Sequence, residues 1–124
     1  MPRVLIIEDN PVNLELVLEI LEPEGYAIQT AETAEQGLRL VALDRPALIL
    51  MDLHLPGMTG YEATRALKAD PATAAIPVVA LTAQAMRGDE DQARDAGCDA
   101  YLTKPLDTRA FRETLRRLLG ERHD

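Results

Sequence analysis

Five short apolar runs, separated by longer segments of helical periodicity, constrain the fold of this chain more than any other feature of its sequence. The runs occupy residues 4–7, 26–30, 47–51, 78–81 and 100–102. Each intervening segment is long enough for a crossover helix, and repeated strand–helix units form a parallel sheet covered by helices on both faces. We therefore predict an α/β fold with five strands and five helices, in a single domain over residues 1–124.

The composition of the runs also predicts the order of the strands. A strand that is buried on both faces is continuously apolar, whereas an edge strand is short or partly polar. The first, third and fourth runs are continuously apolar, the second ends in Gln29 and Thr30, and the fifth is brief. This predicts the doubly wound, flavodoxin-like order 2-1-3-4-5, in which ligands bind beyond the carboxyl ends of the strands.

Capping residues mark the ends of several predicted helices. Asn, Asp and Thr side chains accept hydrogen bonds from the first free N–H groups of a helix, and Gly closes its last turn. The signals are Asn10 before Pro11, reciprocal capping boxes at Thr33 with Gln36 and Thr59 with Glu62, and Asp107 before a last helix that Gly120 closes.

Charge and cysteine content narrow the function classes. The formal net charge of −8 would repel a phosphate backbone, which argues against direct nucleic-acid binding. The longest apolar run is far shorter than a membrane span, so no membrane partner is expected. The single cysteine, Cys98, fits a reducing compartment, and we expect a cytoplasmic protein. The arginines at 109, 112, 116, 117 and 122 are interpreted as a solvated helix face, with docking of a partner protein as the alternative.

Polar residues stand at the carboxyl ends of four of the predicted strands. They are Glu8 and Asp9, Asp52, Thr82 and Lys104. The predicted topology brings these ends to one edge, where the carboxylates repel one another unless a cation is bound or a proton is taken up. Hard oxygen ligands without a cysteine cluster favour Mg²⁺, which commonly takes one or two carboxylates together with phosphate oxygens. An aspartate beside such an ion is a plausible nucleophile towards phosphorus.

These residues resemble the response-regulator receiver domain of two-component signalling, in its CheY-like, single-domain form. The resemblance covers essentially the whole chain. It is carried by IEDN at residues 7–10, MDLHLPG at 51–57 with Gly60, LTA at 81–83 and YLTKP at 101–105.

The resemblance implies a role for each residue at this edge. Asp52 would accept the phosphoryl group, and Thr82 and Lys104 would bind its oxygens. Mg²⁺ would be ligated by Asp9, by Asp52 and by the backbone carbonyl of His54, with Glu8 holding it through water. Glu8 stands where the family often has aspartate, which leaves its geometry open.

Three further positions would control the lifetime and the readout of the phosphoryl group. Tyr101 resembles the family's aromatic switch, which responds to Thr82, although packing on an edge strand would also explain it. His54 and Gln84 occupy positions that tune phosphoryl lifetime, so His54→Ala should change the rate of dephosphorylation without abolishing phosphorylation. The segment from Thr82 to Asp95 is expected to move when the phosphoryl group binds, because Gly88 and the acidic run at 89–91 should weaken regular packing there. That run would otherwise be a solvated helix start, where acidic residues suit the helix dipole.

The resemblance also implies the partners. A histidine kinase or histidine phosphotransfer protein would donate the phosphoryl group, docking on the first helix and the loop after Lys104. No effector domain fits within the chain, so the output would be binding to a downstream protein, unless the chain is part of a longer regulator.

Other classes remain open from the residues alone. A Mg²⁺-dependent phosphatase of the haloacid-dehalogenase type also uses a strand-end aspartate, but it has a second acid where this chain has His54. A flavin carrier shares the strand order, but Glu8 and Asp9 would repel its phosphate. A scaffold that works without phosphorylation is a further alternative.

Overall fold

All five predicted strands are present, and their ends differ from the predicted ends by at most one residue. The structure, a computed structural model, describes residues 2–82, 88–103 and 106–120. Its strands are β1 (Arg3–Ile7), β2 (Ala27–Ala31), β3 (Leu48–Asp52), β4 (Val78–Thr82) and β5 (Ala100–Thr103). Its helices are α1 (Pro11–Leu21), α2 (Ala34–Leu43), α3 (Gly60–Ala69), α4 (Asp89–Ala96) and α5 (Thr108–Leu119), and a short 3₁₀ helix (Glu22–Glu24) follows α1.

The sheet is parallel and has the predicted order, β2-β1-β3-β4-β5. The three central strands are buried almost throughout, as their continuously apolar sequences predict. Both edge strands are partly exposed. The doubly wound fold is therefore confirmed.

Alternate residues of each central strand pack on opposite faces of the sheet, as the pleat requires. On one face, Leu5 and Ile49 pack with residues of α2 and α3, and Ala80 packs with Ala93 of α4. On the other face, residues of α1 and α5 cover the sheet, with Phe111 fully buried. The helices thus form two layers, one on each face of the sheet.

Helix ends follow the predicted capping residues, with one correction. The side chains of Asn10 and Asp107 each accept two backbone N–H groups, and the Thr59–Glu62 capping box is reciprocal. The box at Thr33 is not: Thr33 accepts from the N–H of Gln36, but the Gln36 side chain accepts from the N–H of Glu32. Gln36 therefore satisfies the N–H one residue before the expected one.

The arginines of α5 lie mainly at the surface, as predicted: Arg109, Arg116 and Arg117 are exposed, and Arg112 is half-buried. Arg116 Nη2 lies 2.8 Å from Glu24 Oε1, and Arg112 Nε lies 3.8 Å from Glu24 Oε2. These ion pairs join α5 to the 3₁₀ helix after α1. Within the described ranges, none of the helices combines the length and apolar character needed to cross a bilayer. Lys104, Gln84 and Arg122 lie outside the described residues.

Candidate functional site

The acidic residues meet at one edge because the register of the sheet aligns the ends of their strands. Ile7 of β1 pairs with Met51 of β3, so Glu8 and Asp52 come one position later in the same row. Pairing continues past β1, since the N–H of Glu8 donates to the carbonyl of Ala31 at 3.0 Å. Asp9 is the next residue along the chain. The sequence-based prediction that these three residues share an edge is confirmed.

Three carboxylates are held close together there. Glu8, Asp9 and Asp52 each offer an oxygen, and these oxygens lie within 4.8 Å of one another. Glu8 is 2% exposed and Asp52 is 8% exposed, whereas Asp9 is exposed. Backbone donors orient the two buried groups: the N–H of Asn10 donates to Glu8 Oε2 at 3.2 Å, and the N–H of His54 donates to Asp52 Oδ1 at 3.0 Å.

This set of ligands fits a hard divalent cation. The three clustered carboxylates repel one another, and two of them are largely removed from water, which favours a bound cation. All three donors are oxygens, which suits Mg²⁺, and a shell of so few protein ligands leaves positions for water and phosphate. The three residues therefore fit Mg²⁺, the ion that the sequence predicts, and Asp52 is itself one of the possible ligands.

The hydroxyl residue Thr82 is at the end of β4, the strand next to β3. Asp52 pairs with Leu81 of β4, so Thr82 is one position further towards the same edge. Thr82 is fully buried and pairs with Thr103 on β5. The structure thus brings Thr82 to the edge that carries Asp52, and Lys104, which follows Thr103 in sequence, lies outside the described residues.

Tyr101 lies on β5 beside this edge. It is partly buried and packs in a cluster with Leu53, Ala80 and Ala93. Burial, together with the charges of Asp89 and Glu90, raises the pKa of its hydroxyl. The contacts link β5 to α4 and to the residue after Asp52. Both packing and switching use such contacts, so the switch role stays a prediction.

Gly60 allows α3 to begin against the backbone of Asp52 and Leu53. Its N–H donates to the carbonyl of Leu53 at 3.2 Å. A Cβ at this position would lie 2.8 Å from Leu53 Cα and would also overlap the Asp52 carbonyl oxygen. Only glycine permits this approach, so Gly60 fixes the path of the chain just after the acid.

Sequence reasoning missed two residues near this edge, Asp89 and Tyr61. Asp89 is the first residue of α4 and is 5% exposed, so the expectation of a solvated acidic start is wrong for it. The Tyr61 hydroxyl donates to Asp89 Oδ1 at 2.8 Å, and His54 Nε2 lies 3.4 Å from Asp89 Oδ2. The nearest sequence signal was the acidic run itself, which does not show which acid faces inward.

Cys98 has no part in the acidic site. Its thiol donates to the hydroxyl of Thr64 at 3.8 Å, and burial raises its pKa. A thiol held protonated in this way is a weak nucleophile, in agreement with its interpretation as a small packing residue.

Comparison with known proteins decides the family. Residues 4–116 match the response regulator receiver domain. The chain belongs to the receiver-domain family. The relatives of this receiver domain include the polar-differentiation response regulator DivK of Brucella anthropi, 43% identical over 122 residues that cover 98% of this chain and 99% of DivK. The DivK of Brucella ovis is 42% identical over 118 residues.

Solved structures agree with this assignment. The receiver domain of a sensor histidine kinase from Pseudomonas aeruginosa, which holds a magnesium ion coordinated in its active site cleft, superposes with a TM-score of 0.89. It is 35% identical, with 97% of this chain and 98% of that chain covered. The receiver domain of a histidine kinase from Syntrophus aciditrophicus gives a TM-score of 0.90 at 32% identity, with 100% and 96% covered.

The function class follows from the family. This chain is a receiver domain of two-component signalling and not a conventional metabolic enzyme. None of these relatives favours the haloacid-dehalogenase phosphatase. Receiver domains bind Mg²⁺ at an acidic site, and the acidic cluster described here is of that kind.

Proposed function

We propose that this receiver domain takes a phosphoryl group from a phosphohistidine onto Asp52 and that Mg²⁺ is required. The observation that carries the proposal is the convergence of Glu8, Asp9 and Asp52 within 4.8 Å, with Thr82 on the adjacent strand at the same edge. Residues 1–124 then form one receiver domain. The lone cysteine favours a reducing compartment, so we place the reaction in the cytoplasm.

Asp52 is the nucleophile in this scheme. One of its carboxylate oxygens forms a bond to phosphorus while the bond from phosphorus to the donor imidazole nitrogen breaks. The donor ring carries a proton on its other nitrogen, so it leaves as neutral imidazole. The hydrogen bond from the His54 N–H to Asp52 Oδ1 orients the carboxylate. In hydrolysis, a water oxygen forms a bond to phosphorus while the bond from phosphorus to the Asp52 oxygen breaks. The Asp52 carboxylate is restored, and inorganic phosphate leaves with the protons of the water passed to phosphate or solvent.

The other residues of the site would bind the metal ion or the phosphoryl oxygens. Asp9, Asp52 and the carbonyl of His54 would hold Mg²⁺, with Glu8 acting through water. When bound, Mg²⁺ would neutralise part of the negative charge on the phosphoryl group. The Thr82 hydroxyl and the Lys104 ammonium would bind phosphoryl oxygens, since charge-assisted hydrogen bonds to phosphate are strong. Tyr101 would report the movement of Thr82, and Gln84 and His54 would set how long the phosphoryl group persists.

The first helix offers a surface for the phosphodonor protein. α1 begins two residues after Asp9, and Val12 and Leu16 lie one turn apart on it with more than a third of each side chain exposed. Large exposed apolar side chains next to a reactive site favour protein docking. A histidine kinase or phosphotransfer protein that packs on α1 would bring its phosphohistidine towards Asp52.

Acetyl phosphate tests the proposal without a partner. We expect the wild type to gain the mass of one phosphoryl group with Mg²⁺ and none when the metal is chelated. Asp52→Asn should gain none, whereas Asp95→Asn, which alters an exposed aspartate on α4, should behave as the wild type.

Intact-protein mass spectrometry reads the result. A wild type that stays unmodified, or an Asp52→Asn variant that is still modified, would contradict the proposal. Sustained hydrolysis of many simple phosphate esters would instead support the phosphatase alternative, and a partner bound equally well by Asp52→Asn would support the scaffold.

A further inference from the structure

Three side chains from three different elements meet beside the acidic site. His54 follows β3, Tyr61 lies in the first turn of α3, and Asp89 begins α4. One carboxylate joins them: Asp89 Oδ1 accepts from the Tyr61 hydroxyl at 2.8 Å, and Asp89 Oδ2 lies 3.4 Å from His54 Nε2. The rings of His54 and Tyr61 meet edge to face, with centroids 6.3 Å apart and an interplanar angle of 81°. We call this group the His54–Tyr61–Asp89 cluster.

The residues of the cluster differ in burial: Asp89 is held in a buried position, whereas the His54 side chain has room to move. The Asp89 side chain is 7% exposed, whereas the His54 side chain is 41% exposed. Burial, the hydrogen bond to Asp89 and its charge raise the pKa of the Tyr61 hydroxyl, so Tyr61 remains a proton donor to the carboxylate at ordinary pH. Asp89 is therefore held from one side by Tyr61 and offers its other oxygen to the more exposed imidazole.

The cluster reaches the phosphoacceptor through His54. Its backbone N–H donates to Asp52 Oδ1 at 3.0 Å, while its ring contacts Asp89 on α4. One residue thus contacts the phosphoacceptor carboxylate with its backbone and the start of α4 with its side chain. The orientation of the imidazole at the mouth of the site depends on where Asp89 is held.

The acids next in sequence provide an internal comparison. Glu90 and Asp91 share the first turn of α4 with Asp89, but their side chains are exposed and pair with Arg94 at 3.3 and 3.1 Å. All three carry the same charge near the same helix end, and of the three only Asp89 makes a contact with the His54 ring among the described ion pairs. A general effect of negative charge at the helix start would be shared by Asp91, whereas an effect through His54 would not.

We propose that Asp89, held by Tyr61, is a positioning residue that orients the His54 imidazole and thereby sets the rate at which phospho-Asp52 is hydrolysed. The inference rests on the proposed function and extends it, because it makes the lifetime of the phosphoryl group depend on the placement of α4. Any partner that moves the start of α4 would change that lifetime through the contact between Asp89 and His54.

The test compares phosphoryl loss in single and double variants. Each protein is loaded with acetyl phosphate and Mg²⁺, the donor is removed, and the phosphorylated fraction is followed by intact mass. We expect Asp89→Asn and Tyr61→Phe to change the rate in the same direction as His54→Ala, by about threefold or more, as contacting residues typically couple. In the His54→Ala background, Asp89→Asn should change the rate by less than about 1.5-fold.

Two further measurements separate positioning from a loss of structure. Asp91→Asn should leave the rate at the wild-type value, and thermal melts identify any variant that fails to fold. In the unphosphorylated protein, the imidazole nitrogen signal of His54, assigned by its absence in His54→Ala, should shift in Asp89→Asn and stay in place in Asp91→Asn. Tyr61→Phe keeps the ring and removes only the hydroxyl, so it tests the cluster even if Asp89→Asn proves unstable.

Each outcome has a defined meaning. A wild type that takes up no phosphoryl group overturns the proposed function and this inference together. A phosphorylated wild type whose decay rate is unaffected by His54→Ala, or by both Asp89→Asn and Tyr61→Phe, overturns this inference alone. An Asp89→Asn effect of equal size with and without the His54 ring also overturns it, since Asp89 would then act by another route.

Discussion

At the scale of single residues, burial of one hydroxyl gives this protein a specific pH dependence. The Tyr61 hydroxyl donates to a buried carboxylate, and burial with that neighbouring charge raises its pKa above the ordinary value of 10.0. In the unfolded chain the same hydroxyl ionises near its ordinary pKa. The unfolded state therefore gains free energy from ionisation at a pH where folded Tyr61 is still neutral.

The free energy of unfolding should consequently fall as the pH rises above about 10, and Tyr61 contributes to the fall. Tyr61→Phe removes that contribution, so the difference between wild type and variant should shrink by up to about 1 kcal/mol between pH 8 and pH 11, after allowance for solvent screening. Urea unfolding at both pH values measures it. At pH 8, the difference in unfolding free energy between wild type and Tyr61→Phe reports the lost hydrogen bond. A difference that stays constant up to pH 11 would contradict the prediction.

At the scale of elements, two glycines mark where helices approach the sheet most closely. A Cβ at Gly60 would overlap the backbone of Asp52 and Leu53, which belongs to the site itself. A Cβ at Gly37, in α2, would meet the flexible end of the Ile7 side chain. Backbone has little freedom to move aside, whereas a side chain has rotamers, so the two positions tolerate a methyl group differently.

Gly60→Ala should lower the free energy of unfolding by about 2 to 3 kcal/mol, at the upper end of the usual range for overpacking. Gly37→Ala should lower it less, since Ala favours a helix over Gly by about 1 kcal/mol and Ile7 can adjust. Chemical denaturation compares the two variants. Gly60→Ala should also slow phosphorylation by acetyl phosphate, because α3 would move away from the segment after Asp52; equal losses of stability in both variants would argue against this reasoning.

The strands and their order were largely predictable, because each depends on the composition of its own short stretch of sequence. The apolar runs that become β3 and β4 are buried on both faces, and only a central position in a parallel sheet explains such a pattern. Once the order of strands is known, the meeting of Glu8, Asp9 and Asp52 follows from register alone.

Two features could not be predicted from the sequence: how α4 is rotated about its axis, and which of two neighbouring N–H groups a side chain accepts from. Which acid of the run at 89–91 faces inward is decided by where α4 starts and how it is turned against α3, and neither is visible in a run of like charges. The same holds for Gln36, whose side chain could reach the N–H of Thr33 or of Glu32, and takes the latter. The Tyr61–Asp89 contact, between residues 28 apart in the chain, needed the tertiary structure.

At the scale of the whole molecule, the acidic edge couples ion binding to global stability. The clustered carboxylates repel one another in the folded protein, and this repulsion is much weaker in the unfolded chain, where they separate. A cation that binds only the folded state stabilises it by an amount that grows with its concentration, about 2.7 kcal/mol at a hundred times the dissociation constant.

Mg²⁺ should therefore raise the melting temperature of the wild type by several degrees. Asp9→Asn should melt higher than the wild type without metal, because one repelling charge is gone, and should gain less from Mg²⁺. Calorimetric or fluorescence melts with chelator and with a Mg²⁺ series measure both effects, and Asp95→Asn serves as the charge-matched control. A wild type whose melting temperature is independent of Mg²⁺ would contradict the assigned ligands.

The parallel sheet gives the protein two chemically unlike ends. Every strand points its carboxyl terminus at the acidic edge, so the turns that enter β2, β3, β4 and β5 gather at the far end, among them the exposed pair Asp44 and Arg45. Lengthening such a turn alters no strand register and no ligand of the cation. That far end is where a fluorescent label or an inserted tag would leave the chemistry of the domain undisturbed.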